Sequence, residues 1–147
     1  MDAPNTSFRC GIGYDTHRLV EGRRLVLGGV EIPSPRGLLG HSDGDVLSHA
    51  VVDAVLGAAG LGDIGRFFPD TDPRWKNAAS RIFLATVRER LAERKLEVLS
   101  LDTVVILDTP KLAPYMDRMK ESLAAALGVA AERVNVKAKT SEGAAPD

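Results

Sequence analysis

Residues 41–60, HSDGDVLSHAVVDAVLGAAG, predict the first long helix of this protein and set its fold class. Ser42 or Asp43 can cap the helix, because a short polar side chain at an N-terminus accepts hydrogen bonds from free backbone N–H groups. Gly60 is a suitable residue to end it. Between these ends the apolar residues recur at helical spacing and form one buried face. They are Val46, Leu47, Ala50, Val51, Ala54, Val55 and Ala58.

The segments around this helix predict strands before it and alternating helices and strands after it. Gly28-Gly29 interrupts a β-rich stretch and predicts a hairpin or bulge. A stretch without periodicity, residues 61–77, predicts a long irregular loop, and such loops are often functional. This order of elements predicts an α+β fold with helices on one face of a mixed sheet. The predicted strands are residues 8–14, 24–32, 98–107 and 134–139, and the further helices are residues 78–94 and 114–127.

The composition is that of one globular domain spanning residues 1–147, with residues 1–7 as a disordered polar leader. A formal net charge of -1 argues against a nucleic-acid-binding protein or one held on an anionic membrane. We expect Cys10, the single cysteine, to be a small buried residue and not a nucleophile. One cysteine makes no internal disulfide, which favours a reducing, cytoplasmic location.

Asp15, His17 and His49 are candidate ligands of a divalent transition metal. Side chains two residues apart in an extended segment point to the same side, so Asp15 and His17 can converge on one ion. One carboxylate, two imidazoles and an open position would make a catalytic zinc site. Two unrelated histidines, with Asp45 paired to His49 four residues later, remain an alternative. In the metal interpretation, Asp45 orients the His49 ring.

Three further polar segments are compatible with a phosphorylated ligand. Residues 41–45 could bind phosphate at a helix start, although an ordinary capping segment has the same composition. Residues 62–65 and 68–73 combine acids with tight turns, which could bind hydroxyl groups or simply form turns. The hydroxyl pair and carboxylate of residues 140–142 could coordinate Mg²⁺ or form a polar strand end.

Together these segments resemble the 2-C-methyl-D-erythritol 2,4-cyclodiphosphate synthase family of the non-mevalonate isoprenoid pathway. The resemblance lies in ordered motifs over nearly the whole chain: GIGYDTHRL at residues 11–19, GHSDGD at 40–45, His49, GDIG at 62–65, FPDTDP at 68–73, PK at 110–111, NVK at 135–137 and TSEG at 140–143. It implies a ferredoxin-like two-layer α+β sandwich. It also implies intramolecular phosphoryl transfer, in which 4-diphosphocytidyl-2-C-methyl-D-erythritol 2-phosphate is cyclised with release of CMP.

The resemblance assigns roles to individual positions. It implies that Asp15, His17 and His49 bind zinc, that Glu142 binds Mg²⁺ or Mn²⁺, and that His41 and Thr140 stabilise the transition state. The residues it implies in substrate binding are Asp15, His17, His41, Ser42, Asp63, Ile64, Gly65, Phe68, Pro69, Asp70, Thr71, Asp72, Leu107, Asp108, Thr109, Pro110, Lys111, Leu112, Ala113, Lys139, Thr140, Ser141 and Glu142.

The resemblance further implies a homotrimer whose active sites lie between subunits, with metal ligands from one chain and the cytidine pocket, including Lys111, from the next. The apolar run of residues 104–107 agrees with this, because such a strand needs cover on both faces and helices can cover one. One departure is that the sequence given ends at Asp147, before the family's final turn and strand; a protein that truly lacked this strand would have an unpaired edge or a gap in its sheet. An inactive binding protein on this scaffold and a generic zinc phosphohydrolase remain alternatives.

Overall fold

The computed structural model describes residues 7–144, so the predicted leader, apart from Ser7, lies outside the described residues. Within this part of the chain, strands and helices of an α+β fold are present, which confirms the predicted class. The strands are β1 (Leu19–Glu21), β2 (Leu25–Leu27), β3 (Val30–Ile32), β4 (Arg36–Leu38), β5 (Leu101–Ile106) and β6 (Val134–Lys139), and the helices are α1 (Val46–Ala59), α2 (Ile64–Phe67), α3 (Arg81–Glu93) and α4 (Met116–Leu127).

Helix α1 confirms the prediction from residues 41–60, except at its first turn. The cap is Asp45, whose side chain accepts a hydrogen bond from the Ser48 N–H, and not Ser42 or Asp43. Gly44 has a φ of +76°, and this left-handed turn separates residues 42 and 43 from the helix. Gly60 ends α1 in the left-handed conformation, as predicted.

The predicted hairpin is present as β2 and β3. Leu25 lies opposite Ile32, and Leu27 lies opposite Val30. Gly28 and Gly29 form the turn with φ values of +56° and +75°, a pair of positive angles that suits the twist of a two-residue hairpin. Glycine suits both positions of this turn.

Strands β5 and β6 are parallel and are connected through α4, which packs against β6. Parallel strands need such a crossover, and its helix covers one face of the pair. Val105 points into the core and is 6% exposed, whereas Val104 and Ile106 on the opposite face are 53% and 65% exposed. One face of β5 is therefore open within the described chain, as the apolar run predicted.

The strands differ from the predicted single mixed sheet. Within residues 7–144 they form three two-stranded ladders, with β1 antiparallel to β4, β2 antiparallel to β3, and β5 parallel to β6. The edge of β5 away from β6 pairs with no described strand. Residues of β5 and the segment of residues 7–19 both line a cleft of about 1510 Å³.

The main core lies between the helices and the two ladders that contain β2 and β6. Helix α1 packs against α3, and α3 packs against α4. Val52, Leu56, Val87 and Leu123 at these contacts are fully or almost fully buried. The predicted irregular loop, residues 61–77, contains the short helix α2 and a 3₁₀ turn at Pro73–Trp75, so the absence of regular structure predicted there was wrong. Among the residues described, none of the helices has the length and apolarity required to cross a membrane.

Candidate metal centre

Asp15 and His17 lie in an extended segment that rests on the surface of α1. We predicted a strand at residues 8–14, but this segment pairs with no strand among the described residues, and that prediction was wrong. Gly11 and Gly13 explain why the segment lies on the helix instead: a Cβ atom would lie 1.9 Å from the Ala54 carbonyl oxygen at Gly11, and 1.8 Å from that of Ala50 at Gly13. Without side chains, the two residues place the segment directly against the helix backbone.

Cys10 is exposed in this segment, so the prediction that it is buried was also wrong. Its neighbours Phe8, Ile12 and Tyr14 are largely exposed as well. These apolar side chains are therefore not part of the hydrophobic core of the described chain.

His49 occupies the first turn of α1 and is buried, with 8% exposure. Its Nδ1 atom faces the end of the extended segment, and its ring lies 6.0 Å, between centroids, from that of Phe83 in α3. The helix and the segment above it thus bring His49 to Asp15 across 34 residues of sequence.

The three predicted ligands converge on one point. His17 Nε2 is 2.9 Å from Asp15 Oδ2, and His49 Nδ1 is 3.1 Å from the same oxygen. The two imidazole rings are 5.1 Å apart. Within residues 7–144, this is the one group of three acidic, histidine or cysteine side chains whose ligand atoms all lie within 4.8 Å of one another. The prediction that these side chains meet is confirmed.

The chemistry of this group fits a divalent cation. A carboxylate oxygen and two ring nitrogens that face each other at about 3 Å need positive charge between them, either ring protons or a metal ion. Burial raises the pKa of Asp15, but hydrogen bonds from His17 and His49 outweigh it and hold that pKa well below its ordinary value of 3.8. Asp15 is therefore ionised at neutral pH. The three side chains could hold a metal ion and leave a coordination position open for a further ligand.

The Asp45 side chain makes no described hydrogen bond to the His49 ring, so its predicted role in orienting the ring was wrong; only its backbone carbonyl accepts from the His49 N–H, at 3.0 Å. Its fully buried carboxylate accepts hydrogen bonds from the Gly28 and Gly29 N–H groups at 2.9 and 2.7 Å, and from the Ser48 N–H and hydroxyl at 3.0 and 2.7 Å. Burial raises the pKa of Asp45 against the opposing effect of these four donors. Asp45 thus joins the β2–β3 turn to the start of α1 and positions the helix that carries His49.

The Nε2 side of the His49 ring is held by residues that sequence reasoning did not connect to it. Ser80 Oγ lies 2.9 Å and Ser42 Oγ 3.0 Å from Nε2, and both serines are buried. Ser42 was predicted to contact the substrate, and that role stays a prediction. Ser80 lies 31 residues from His49 at the start of α3, and no spacing in the sequence indicated the contact.

His41 and the segment of residues 68–72 are brought together. His41 Nε2 lies 3.0 Å from the Asp72 carbonyl oxygen, and the Asp72 carboxylate pairs with Arg74. Phe68 is buried and stacks on Phe83 with centroids 4.3 Å apart. Pro69 is partly buried, whereas Asp70 and Thr71 are exposed. The buried Phe68 side chain thus anchors the loop to α3, and Asp70 and Thr71 remain accessible to solvent.

The residues expected to meet a polyol form the start of α2. Asp63 is exposed and caps this short helix through a 3.0 Å bond from the Arg66 N–H. The Ile64 N–H is held by Asp53 at 2.7 Å, and Gly65 is exposed. Asp53 thus holds this turn through the Ile64 N–H, and Asp63 and Gly65 are exposed to solvent.

A second group of predicted residues gathers at the ends of β5 and β6. Asp108 accepts bonds from the Ser141 N–H and hydroxyl at 2.7 and 2.6 Å, which hold the pKa of Asp108 below its ordinary value. The Thr140 hydroxyl donates to the Glu142 carboxylate. The remaining predicted positions, Leu107, Thr109, Pro110, Lys111, Leu112, Ala113 and Lys139, lie in the same two strand ends and the connection to α4. None of the described hydrogen bonds joins this group to Asp15, His17 or His49.

Comparison with known proteins gives matches over most of the chain. A family model described as the YgbB family matches residues 8–146. The bifunctional enzyme IspD/IspF of Desulforudis audaxviator is 58% identical over 133 residues, which are 90% of this chain and 34% of that protein. The 2-C-methyl-D-erythritol 2,4-cyclodiphosphate synthase of Gloeobacter violaceus is 56% identical over 138 residues, which are 94% of this chain and 85% of that protein.

The fold has a similarly close match among solved structures. A 2C-methyl-D-erythritol-2,4-cyclodiphosphate synthase solved in a CDP-bound form has a TM-score of 0.89 and 47% sequence identity, and the match covers 95% of this chain and 93% of that one. The chain thus spans about a third of the bifunctional relative and most of the other two proteins.

Proposed function

This chain belongs to the YgbB family of 2-C-methyl-D-erythritol 2,4-cyclodiphosphate synthases, and we propose that it cyclises 4-diphosphocytidyl-2-C-methyl-D-erythritol 2-phosphate with release of CMP. The product is 2-C-methyl-D-erythritol 2,4-cyclodiphosphate, a precursor in non-mevalonate isoprenoid biosynthesis. The observation that carries the proposal is the convergence of Asp15, His17 and His49 in a chain with this family match.

The reaction needs charge neutralisation more than it needs a protein nucleophile. An oxygen of the substrate's 2-phosphate attacks the β-phosphorus, the bond from this phosphorus to the bridging oxygen breaks, and CMP leaves with that oxygen. Attacking and attacked groups are both anionic, so cations and hydrogen-bond donors must offset their repulsion. A cysteine nucleophile is not required, in agreement with the prediction that Cys10 is not one.

We assign the metal centre to zinc. A carboxylate oxygen and two imidazole nitrogens with one open position are typical of catalytic zinc, which when bound supplies positive charge to phosphate oxygens. Asp15, His17 and His49 would hold it. Glu142, whose carboxylate is exposed and accepts from Thr140, would hold Mg²⁺ or Mn²⁺ together with substrate phosphates.

The other predicted residues would bind and orient the substrate. His41, held by the Asp72 carbonyl, and Thr140 would donate hydrogen bonds to phosphate oxygens as charge develops. Asp63 and Gly65 would meet the erythritol hydroxyl groups, and residues 107–113 would form the cytosine pocket. The bonds between Asp108 and Ser141 support a common role for the two strand ends, because they hold the pocket segment beside Thr140.

We further propose a homotrimer of ferredoxin-like subunits with active sites shared between chains. The exposed Val104 and Ile106 support it, since a second copy could cover this open face of β5. None of the described hydrogen bonds joins the residues proposed for the cytosine pocket to the metal ligands. This also fits a site that Lys111 and its neighbours complete from another chain.

A CMP-release assay tests the function. With Zn²⁺ and Mg²⁺ present, the chain should release CMP and form the cyclic product, and chelation should stop the reaction until Zn²⁺ is restored. His49→Gln keeps much of the buried volume and should abolish turnover with little change in thermal melting. Normal turnover in this variant would refute the role of the metal centre. Release of inorganic phosphate without preference for cytidine would instead indicate a generic phosphohydrolase.

A further inference from the structure

The two nitrogen atoms of His49 face different surroundings. Nδ1 is 3.1 Å from Asp15 Oδ2 and belongs to the metal centre. Nε2 points away from it, to the hydroxyl oxygens of Ser80 at 2.9 Å and Ser42 at 3.0 Å. The protonation of Nε2 therefore decides whether Nδ1 has a free lone pair for an ion.

The Ser80 hydroxyl has its proton committed elsewhere. It donates to Asp43 Oδ1 at 2.5 Å, and the Ser80 backbone N–H donates to Asp43 Oδ2 at 2.9 Å. A carboxylate accepts and cannot donate, so Ser80 Oγ presents a lone pair to His49. Two lone pairs at 2.9 Å would repel each other, so this contact favours a proton on Nε2, which Ser42 Oγ at 3.0 Å can also accept. The contact of Nδ1 with Asp15 is the one in which a bound metal ion would take the place of a proton.

The position of Ser80 in the fold supports a role outside the stability of its own helix. Ser80 is the residue before α3, where a serine ordinarily caps the helix through its hydroxyl. Here the hydroxyl makes no capping bond, and it connects Asp43 to His49. Ser80 is completely buried, so solvent does not compete for these bonds.

We propose that Ser80 is a positioning residue of the metal centre: with its proton held by Asp43, it accepts the Nε2 proton of His49 and so presents unprotonated Nδ1 to the ion. This inference rests on the proposed metal centre. Metal-bound histidines commonly donate their second ring proton to a neighbouring acceptor, which fixes both the tautomer and the ring orientation.

Zinc affinity tests the proposal with a matched pair of variants. In competition with a chromogenic chelator, Ser80→Ala should bind Zn²⁺ roughly 10–100-fold more weakly than the unaltered chain. Thr86→Ala is the control, since Thr86 follows Ser80 on α3 and its hydroxyl also donates, at 2.9 Å to the Ile82 carbonyl oxygen. It makes no described bond to the His49 ring, and its Zn²⁺ affinity should be unchanged. Equal affinity of the two variants would overturn the role of Ser80.

The tautomer gives a second measurement that needs no folded variant of Ser80. In the zinc-loaded unaltered chain labelled with ¹⁵N-histidine, the His49 signals, assigned by their loss in His49→Gln, should show the proton on Nε2. A proton on Nδ1 would overturn the inference even if Ser80→Ala fails to fold. An unaltered chain that binds no Zn²⁺ would overturn the metal centre and this inference with it, whereas zinc binding with a proton on Nδ1 would overturn the inference alone.

Discussion

Replacement of Asp45 by alanine tests how the hairpin and the first helix are held together. The substitution removes four hydrogen bonds to a fully buried carboxylate, three of them themselves buried. It leaves the Gly28 and Ser48 N–H groups without partners, and a buried donor without a partner costs about 1–3 kcal/mol. Together with the loss of the helix cap, we expect the free energy of unfolding to fall by about 3–5 kcal/mol.

The Asp45→Asn variant should fall between alanine and the native residue. The asparagine side chain keeps one oxygen, but its amide NH₂ would face either two N–H donors or one N–H and the rotatable Ser48 hydroxyl. The second arrangement is the less costly one, so this variant should lose about 1–3 kcal/mol.

Urea unfolding of the metal-free protein, at one protein concentration for all variants, measures these changes. The control is Asp63→Ala, which removes one exposed cap of a short helix and should cost about 0.5 kcal/mol. If Asp45→Ala lost less than Asp63→Ala, the reasoning about buried donors would be refuted.

Three further predictions follow from the geometry. Gly13→Ala places a methyl group 1.8 Å from the Ala50 carbonyl oxygen, so the segment carrying Asp15 must shift, and kcat/KM should fall by about 100-fold. The control is Gly57→Ala, where the new methyl group meets no atom within 4 Å and the effect on stability should be neutral or favourable. Val104→Asp should convert a particle of about three times the 15.7 kDa chain mass into monomers by light scattering; an unchanged mass would contradict the proposed interface, and Ile82→Asp on α3 is the control. Ser141 holds the pKa of Asp108 below its ordinary value of 3.8, so their hydrogen bond contributes fully to the free energy of unfolding above pH 3.8. This contribution is lost as pH falls through the lower pKa of the folded state. An NMR titration of the Ser141 amide with its midpoint at or above pH 3.8 would contradict this.

The elements with strong local patterns were predictable from the residues. Helix α1, the β2–β3 turn and the Gly128 end of α4 each depend on interactions within one or two turns of chain, which periodicity and glycine positions reveal. The wrong predictions concern features that depend on residues distant in the sequence. Residues 8–14 have the composition of a strand, but whether a strand forms depends on a neighbour to pair with, and composition does not identify one.

The metal ligands could be predicted as residue types, and the family motifs supplied their grouping. Asp15 and His17 are two residues apart, so their convergence needs an extended backbone and little else. Their approach to His49 is long-range and depends on Gly11 and Gly13 allowing the segment to touch α1.

Polar partners across the core were decided by tertiary structure alone. From spacing, Asp45 is the natural neighbour of His49, yet it turns to the hairpin, and Ser80, 31 residues away, contacts the ring. A buried polar group needs a hydrogen-bond partner. The sequence shows which residues are polar, but it does not show which residue will be the partner. Which partner lies within about 3 Å depends on how α3 packs on α1, and that packing is settled by the apolar faces of both helices together.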